Sequence, residues 1–178
     1  MGVYVNADDI ELSLSQHGLL DFSDFQLSIF SEQVESFFRM SEFSPVKRKD
    51  FDLWKKIKVD NNVFTTSASI DSYLAADLAE FIRQALLKAE ISFTYETVLS
   101  HKGKIDFLKQ AIQSGYRVYL YYIATEDPEI NIGRVNIRVA QSGHSVPPEV
   151  IKNRYYKSLR NLKTAVKNTN RAFIFDNS

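Results

Sequence analysis

Short apolar segments alternate along this chain with longer segments whose apolar residues recur at helical spacing. The apolar segments, which predict β-strands, cover residues 2–5, 91–98, 116–124 and 171–175. The helical spacing predicts helices within 25–43, 71–89, 104–114, 128–141 and 147–166. Strands that alternate with helices are typical of an α/β fold, so we predict a mainly parallel sheet with flanking helices.

Local signals sharpen several of these elements. Asp71 is suited to cap the helix that follows it, and Gly115 is suited to close the helix before it. The strand over 116–124 is almost continuously apolar, which predicts burial on both faces. Along the last helix we predict one apolar stripe, made of Ile151, Tyr155, Leu159, Leu162 and Val166.

Residues 44–70 do not fit the alternation. Pro45, the basic run 47–49 and the pair Asn61-Asn62 indicate a connection rather than a regular element. We predict a short insertion built around one amphipathic helix near Trp54.

Length and composition bound what the chain can be. Its 178 residues, of which 44% are hydrophobic and 25% charged, predict one domain over 1–178. The sequence has no cysteine, and its three histidines are not at ligand spacing from one another, so we expect no metal site of the zinc type. It has no long apolar run and no leader-like start, which leads us to expect a cytoplasmic protein that does not enter a membrane.

The charges balance overall but are unevenly placed. The sequence has 22 basic and 22 acidic residues, which argues against general binding to nucleic acid. Residues 1–46 hold eight acids and one base, whereas 151–178 hold seven bases and one acid. The two segments are either solvated faces or, near the basic end, a site for anions such as phosphates.

Carboxylates follow the predicted strands. Ligands of parallel sheets bind outside the carboxyl ends of the strands, where Asp8, Asp9 and Glu96 lie in this sequence. Asp8 or Asp9 is suited to accept a proton from a substrate hydroxyl or to hold Mg²⁺ through water. The alternative is that one of them caps a helix. Glu96 either reaches the functional end of its strand or contacts a neighbouring basic group.

Two arginines lie four residues apart in the predicted helix over 128–141. Arg134 and Arg138 therefore project from one face, where two guanidinium groups suit polyphosphate oxygens. The alternative is a solvated face paired with Asp127 or Glu129. His144 follows in a predicted loop, where a lone histidine is usually exposed and without a role.

The same region carries a resemblance to a known family. The segments RVNIRVAQSGHSVP at 134–147 and IKNRYYKSLRNL at 151–162 resemble the lid and following helix of the zeta-toxin family of P-loop kinases. YVNADDI at 4–10, FTYETV at 93–98 and FIFDNS at 173–178 fit the same pattern in the same order. The resemblance thus covers nearly the whole chain.

The resemblance implies a nucleotide-kinase-like fold and transfer of the γ-phosphate of ATP, with Mg²⁺, to a hydroxyl. It implies a small-molecule or sugar-nucleotide acceptor, which in zeta toxins proper is UDP-N-acetylglucosamine, and a possible antitoxin partner. Asp8 becomes the candidate base, and Asp9 and Glu96 become candidate acceptor-binding residues. The candidates for binding nucleotide phosphates are Arg134, Arg138, His144 and Arg154.

One part of the family pattern is not in the sequence. The phosphate loop, G-x-x-x-x-G-K-[ST], is expected upstream of Tyr4, and the sole Gly-Lys pair, at 103–104, is followed by isoleucine. We therefore expect an N-terminally incomplete domain that lacks the first strand and phosphate loop and is inactive as written. The alternative is a non-catalytic relative that binds a nucleotide or a protein, and exposed sheet edges would favour a homodimer.

Overall fold

The computed structural model describes residues 2–140 and 145–178. The chain divides into two compact units, Met1–Glu96 and Thr97–Ser178. Each unit contains a parallel pair of strands with helices around it. The mixed α/β class with parallel strands and flanking helices is therefore confirmed, whereas one domain over 1–178 stays a prediction.

The first unit contains two kinds of strand pairing. Its elements in chain order are β1 (Val3–Val5), α1 (Ala7–His17), β2 (Leu19–Asp21), α2 (Ser31–Met40), α3 (Phe43–Arg48), β3 (Ile57–Asp60), β4 (Val63–Thr66), α4 (Ser72–Lys88) and β5 (Phe93–Tyr95). Short 3-10 helices cover Phe22–Phe25 and Leu53–Lys56. β1 pairs in parallel with β5, and β2, β4 and β3 form an antiparallel sheet in that order.

The β1–β5 pair is anchored by alternate side chains. Val3 and Val5 are buried while Tyr4 between them is 43% exposed, as the two-residue period of a strand requires. Val5 lies opposite Tyr95 in the parallel register. Helix α1 follows at once and packs against α4, burying Ile10 and Leu14 in the same core as Val5. This packing fixes the direction in which the chain leaves β1.

The prediction of a single amphipathic helix within 44–70 is wrong. The segment contains α3, a 3-10 helix and the hairpin β3–β4. Asn61 and Asn62 form the two-residue turn, with φ angles of 48° and 69°, and asparagine tolerates this left-handed conformation well. The Asn62 side chain also accepts from the Ile29 amide at 2.7 Å and donates to the Leu27 carbonyl at 2.9 Å. These bonds join the hairpin turn to the segment before α2.

The second unit is built on the parallel pair β6–β7. Its elements are α5 (Lys102–Gln113), β6 (Tyr119–Ala124), α6 (Pro128–Ala140), α7 (Pro148–Lys167) and β7 (Arg171–Asp176). Tyr119 lies opposite Arg171 and Ala124 opposite Asp176. The predicted caps are confirmed, because Asp71 accepts from the amides of Tyr73 and Leu74 at the start of α4 and Gly115 follows α5 with a φ of 85°.

Two predictions about burial in this unit are wrong. Strand β6 is covered on one face only: Leu120 and Tyr122 pack against a small core, whereas Tyr121 and Ile123 are 65% and 64% exposed. Tyr121 instead stacks on Phe173 of β7, with ring centroids 5.1 Å apart. Along α7 the buried line is Ile151, Ser158 and Ala165, seven residues apart, rather than the predicted apolar stripe.

Across the described residues, no helix combines the length and hydrophobicity that crossing a bilayer demands.

Candidate functional site

Polar side chains gather where β1 and β5 end. Asn6 follows β1 and caps helix α1, since its Oδ1 accepts from the Asp8 amide at 2.8 Å. The alternative that Asp8 or Asp9 provides the cap is therefore wrong. The two aspartates occupy the first turn of α1, where the helix dipole favours negative charge. Both side chains are exposed.

Asn6 also reaches across to the neighbouring strand. Its Nδ2 donates to the Tyr4 hydroxyl at 3.1 Å and to Glu96 Oε2 at 3.5 Å. Glu96 thus lies at the same strand end as the aspartates, and its part in binding a ligand there stays a prediction. The amide of one side chain connects both strands of the pair.

A cavity of about 180 Å³ opens beside this network. Its apolar lining comes from α1, β2 and the 3-10 helix after β2, and its polar lining comes from β1, α1, the residue between them and the same 3-10 helix. The lining residues are Tyr4, Asn6, Asp9, Ile10, Ser13, Leu20, Asp24 and Phe25. Among these described residues the charged side chains are both acidic, so the cavity favours hydroxyl, amide or cationic groups.

The phenol of Tyr4 is kept protonated at neutral pH. Desolvation raises the pKa of Tyr4, and the nearby charges of Glu96 and Asp9 add to that rise. The hydrogen bond from Asn6 acts in the opposite direction and lowers the pKa. Tyr4 is therefore a neutral hydroxyl whose pKa depends first on desolvation and then on its polar neighbours Asn6, Glu96 and Asp9.

The carboxyl end of β6–β7 is built differently. Arg134 of α6 donates from Nη2 to the Asn177 carbonyl at 2.7 Å, directly after β7. The Tyr155 hydroxyl of α7 donates to the carbonyls of Thr125 and Glu126, at 2.9 and 3.1 Å, directly after β6. Desolvation raises the pKa of Tyr155, so this hydroxyl remains a donor at neutral pH. Both helices are thus tied to backbone carbonyls at the strand ends.

An ion pair joins the same two helices. Lys152 Nζ of α7 lies 2.5 Å from Glu129 Oε1 of α6. The hydrogen bond from Lys152 to Glu129 raises the pKa of Lys152. Asp127 accepts from the Glu129 amide at 2.8 Å and so supports the start of α6. Asp127 and Glu129 therefore have structural partners other than Arg134.

The predicted phosphate-binding residues occupy different places. Arg134 lies at the end of β7, Arg138 follows one turn later on α6, and Arg154 lies on α7, all with exposed side chains. His144 lies outside the described residues. Within the parts of the chain that the structure describes, no group of three or more His, Cys, Asp or Glu side chains could hold a metal ion.

Sequence reasoning missed Tyr4, Asn6 and Asp24. For Asn6 a signal was present, since asparagine is as good a helix N-cap as aspartate and comes directly after the strand. For Asp24 no local signal exists, because its position on the cavity wall depends on the packing of β2 against β4.

The parallel strand pairs with flanking helices fit the class of P-loop-kinase-like, nucleotide-using proteins. The chain belongs to the zeta toxin family, whose sequence model matches residues 60–178, about two thirds of its length. The matched range includes Glu96, Arg134, Arg138 and Arg154. Asp8 and Asp9 lie before it.

One curated relative is an uncharacterized protein from Haemophilus influenzae. It is 36% identical over 69 residues, which cover 39% of this chain and 49% of the relative. The match therefore spans about half the length of that relative. The comparison with solved structures gives no significant match.

Proposed function

We propose that the chain carries the acceptor-binding and phosphate-binding residues of an ATP-dependent phosphotransferase that acts on a hydroxyl of a small molecule or sugar nucleotide. The observation that carries this proposal is the bond from Asn6 to Glu96, which joins the first turn of α1, with Asp8 and Asp9, to the end of β5. Family membership supplies the reaction class.

In this proposal Asp8 would accept the proton of the acceptor hydroxyl as its oxygen bonds to the γ-phosphorus of ATP, while the bond from that phosphorus to the β–γ bridging oxygen breaks and ADP leaves. Glu96 and Asp9 bind other polar groups of the acceptor. Arg134, Arg138 and Arg154 neutralise phosphate oxygens. Phosphoryl transfer depends mainly on positioning and on stabilising negative charge, and carboxylates and guanidinium groups supply both.

ATP with Mg²⁺ is the donor that the family implies, and the residues present fit it only in part. Guanidinium groups suit phosphate oxygens, and when bound Mg²⁺ would neutralise charge on them. The backbone cradle and lysine of a G-x-x-x-x-G-K-[ST] loop are not within these 178 residues. We therefore propose that these residues by themselves bind an acceptor without transferring phosphate to it.

Binding of UDP-N-acetylglucosamine, measured by calorimetry, tests the acceptor site. Glu96→Gln and Asp8→Asn remove charge from the proposed site, and we expect each to weaken binding about tenfold, as for the loss of a charge-assisted hydrogen bond. Asp60→Asn removes an exposed acid at the end of β3 and serves as the matched control. Equal binding by all four proteins would contradict the assignment.

A second candidate function is that of a non-catalytic relative that binds a partner protein, such as an antitoxin or a second copy of this chain. It is favoured by the exposed apolar face of β6–β7, where Tyr121, Ile123 and Phe175 are all about half exposed or more. Sedimentation of the purified chain distinguishes the candidates. A stable dimer that Tyr121→Lys dissociates, with no binding of the sugar nucleotide, would support this second function over the first.

A further inference from the structure

The side chain of Asn6 makes three polar contacts, and each uses a different capacity of the amide. Its Oδ1 accepts from the Asp8 amide at 2.8 Å. Its Nδ2 donates to the Tyr4 hydroxyl at 3.1 Å and to Glu96 Oε2 at 3.5 Å. A carboxamide is a short side chain that both accepts and donates, which neither serine at that reach nor aspartate can reproduce.

The contact with Glu96 continues the strand pairing by one residue. The parallel ladder ends with Val5 opposite Tyr95, so Asn6 and Glu96 are the next residues on each strand. Neither residue belongs to the ladder, because α1 begins after Asn6 and β5 ends before Glu96. The hydrogen bond from Asn6 to Glu96 therefore connects the two strands one residue beyond the last backbone pair.

Capping alone does not explain an asparagine at this position. Aspartate and serine cap helices about as well as asparagine does. Aspartate would face the carboxylate of Glu96 with a second negative charge, whereas the amide presents a donor. The part of Asn6 that is specific to this place is therefore its Nδ2 group.

We propose that Asn6 is a positioning residue that holds Glu96 and the first turn of α1, with Asp8, in fixed relation to each other at the acceptor site. The proposal rests on the proposed function, because the groups that Asn6 holds are those assigned to the acceptor. Asn6 acts through these groups and does not itself take part in phosphoryl transfer.

Two substitutions distinguish the capping role of Asn6 Oδ1 from the role of its Nδ2 donor. Asn6→Ser and Asn6→Asp both keep an oxygen that caps α1, and both remove the Nδ2 donor. Asn168→Ser, which removes the side-chain amide that bonds to the Thr164 carbonyl at the end of α7, is the matched control. The readouts are the thermal unfolding midpoint, the titration of Tyr4 followed by ¹³C-tyrosine NMR, and the affinity for UDP-N-acetylglucosamine.

We expect both Asn6 variants to keep the unfolding midpoint of the wild type. We also expect a higher pKa for Tyr4, because the bond that lowers it is gone. Binding of the sugar nucleotide should weaken about tenfold, and more for Asn6→Asp than for Asn6→Ser, because the aspartate repels Glu96. Asn168→Ser should leave the Tyr4 titration and the binding unchanged.

The proposal is overturned if either Asn6 variant binds as the wild type does, or if binding falls only in step with a lower unfolding midpoint. Failure of the proposed function gives a different result, namely a wild-type chain that does not bind the sugar nucleotide. In that case the pKa of Tyr4 in the wild type and the two variants is the remaining test of whether Asn6 positions its neighbours. An unchanged pKa in both variants would show that the Nδ2 bonds hold nothing in place.

Discussion

The two parallel strand pairs end in opposite chemistry. At the end of β1–β5 the contacts run between side chains, from Asn6 to Tyr4 and Glu96, and the adjoining cavity has acidic walls. At the end of β6–β7 the side chains of Arg134 and Tyr155 bind backbone carbonyls instead. The first end suits a polar, uncharged or cationic group, whereas the second presents the guanidinium group of Arg134, which suits an anion.

The two ends also differ in what supports them. The first unit has an extended core in which Phe22 meets Phe64 and Phe81 edge to face. The buried cluster of the second unit is small, and one face of its strand pair is exposed. The polar end of β1–β5 therefore adjoins the larger of the two buried clusters.

The largest effect is expected from the core beneath the acidic end. Phe22→Ala should lower the free energy of unfolding by about 3–5 kcal/mol, because a fully buried aromatic ring leaves a cavity. Phe51→Ala removes a ring that is 70% exposed, and it should change the free energy of unfolding by less than about 0.5 kcal/mol. Chemical denaturation measures both. Similar losses for the two variants would contradict the described core.

Alkaline pH should destabilise the first unit through Tyr95. Burial raises the pKa of Tyr95 to about 12, and Arg83 over its ring only partly offsets this rise. The folded-state pKa exceeds the unfolded value, so the stabilisation is complete below pH 10 and is lost as pH rises through about 12. Because the pKa rises from 10.0 to about 12, the loss approaches about 3 kcal/mol at about 1.4 kcal/mol per pKa unit.

Tyr95→Phe should remove that part of the alkaline decline, as followed by denaturation at pH 9 and pH 11.5. Tyr119→Phe, at a half-exposed position on β6, is the control and should decline as the wild type does. An identical decline in the free energy of unfolding of all three proteins would show that the Tyr95 hydroxyl is solvated rather than buried.

The helices and strands of this fold could be predicted from the sequence to different degrees. The helices α4 and α5 and the parallel strands were predictable, since the Asp71 cap, the Gly115 stop and the apolar patterns are local signals. The hairpin β3–β4 was not, because each strand has only four residues and the sheet depends on pairing with β2, nearly forty residues earlier in the chain. The exposed face of β6 was missed because an apolar run signals burial whether or not a covering element exists.

The sequence indicated which types of residue follow the strands, but it did not indicate which of these residues contact one another. Strand ends identified Asp8, Asp9 and Glu96 as neighbours in principle. Local preference does not separate asparagine from aspartate as a cap, and the contact of Asn6 with Glu96 depends on the register of β1 against β5, some 90 residues apart in the chain. Asp24 reached the cavity through β2, whose pairing no local pattern indicated.

A smaller effect is expected at the end of β6–β7, where Arg134 lies. Arg134→Ala removes the guanidinium group at the end of β7, and the affinity for ATP with Mg²⁺ should fall about tenfold, the size of one charge-assisted hydrogen bond. Arg160→Ala removes an exposed arginine of α7 and is the control. Calorimetry compares the two. Unchanged nucleotide affinity in Arg134→Ala would show that the assignment of this arginine to phosphate is wrong.

The smallest effect is expected from Tyr155→Phe. The substitution keeps the ring and removes the hydroxyl that donates to the carbonyls of Thr125 and Glu126. The free energy of unfolding should fall by about 1 kcal/mol, the net contribution of an ordinary hydrogen bond. Tyr156→Phe on the next position of α7, whose side chain is 51% exposed, should be neutral in the same denaturation experiment.

We propose that the polar end of β1–β5 binds the acceptor. An NMR titration of the full chain with UDP-N-acetylglucosamine, read at every assigned backbone amide, tests this proposal. We expect saturable shifts concentrated in residues 4–13 and 93–96, at the ends of β1 and β5 and in the first turns of α1. Shifts confined to other residues, or none at millimolar ligand, would contradict it.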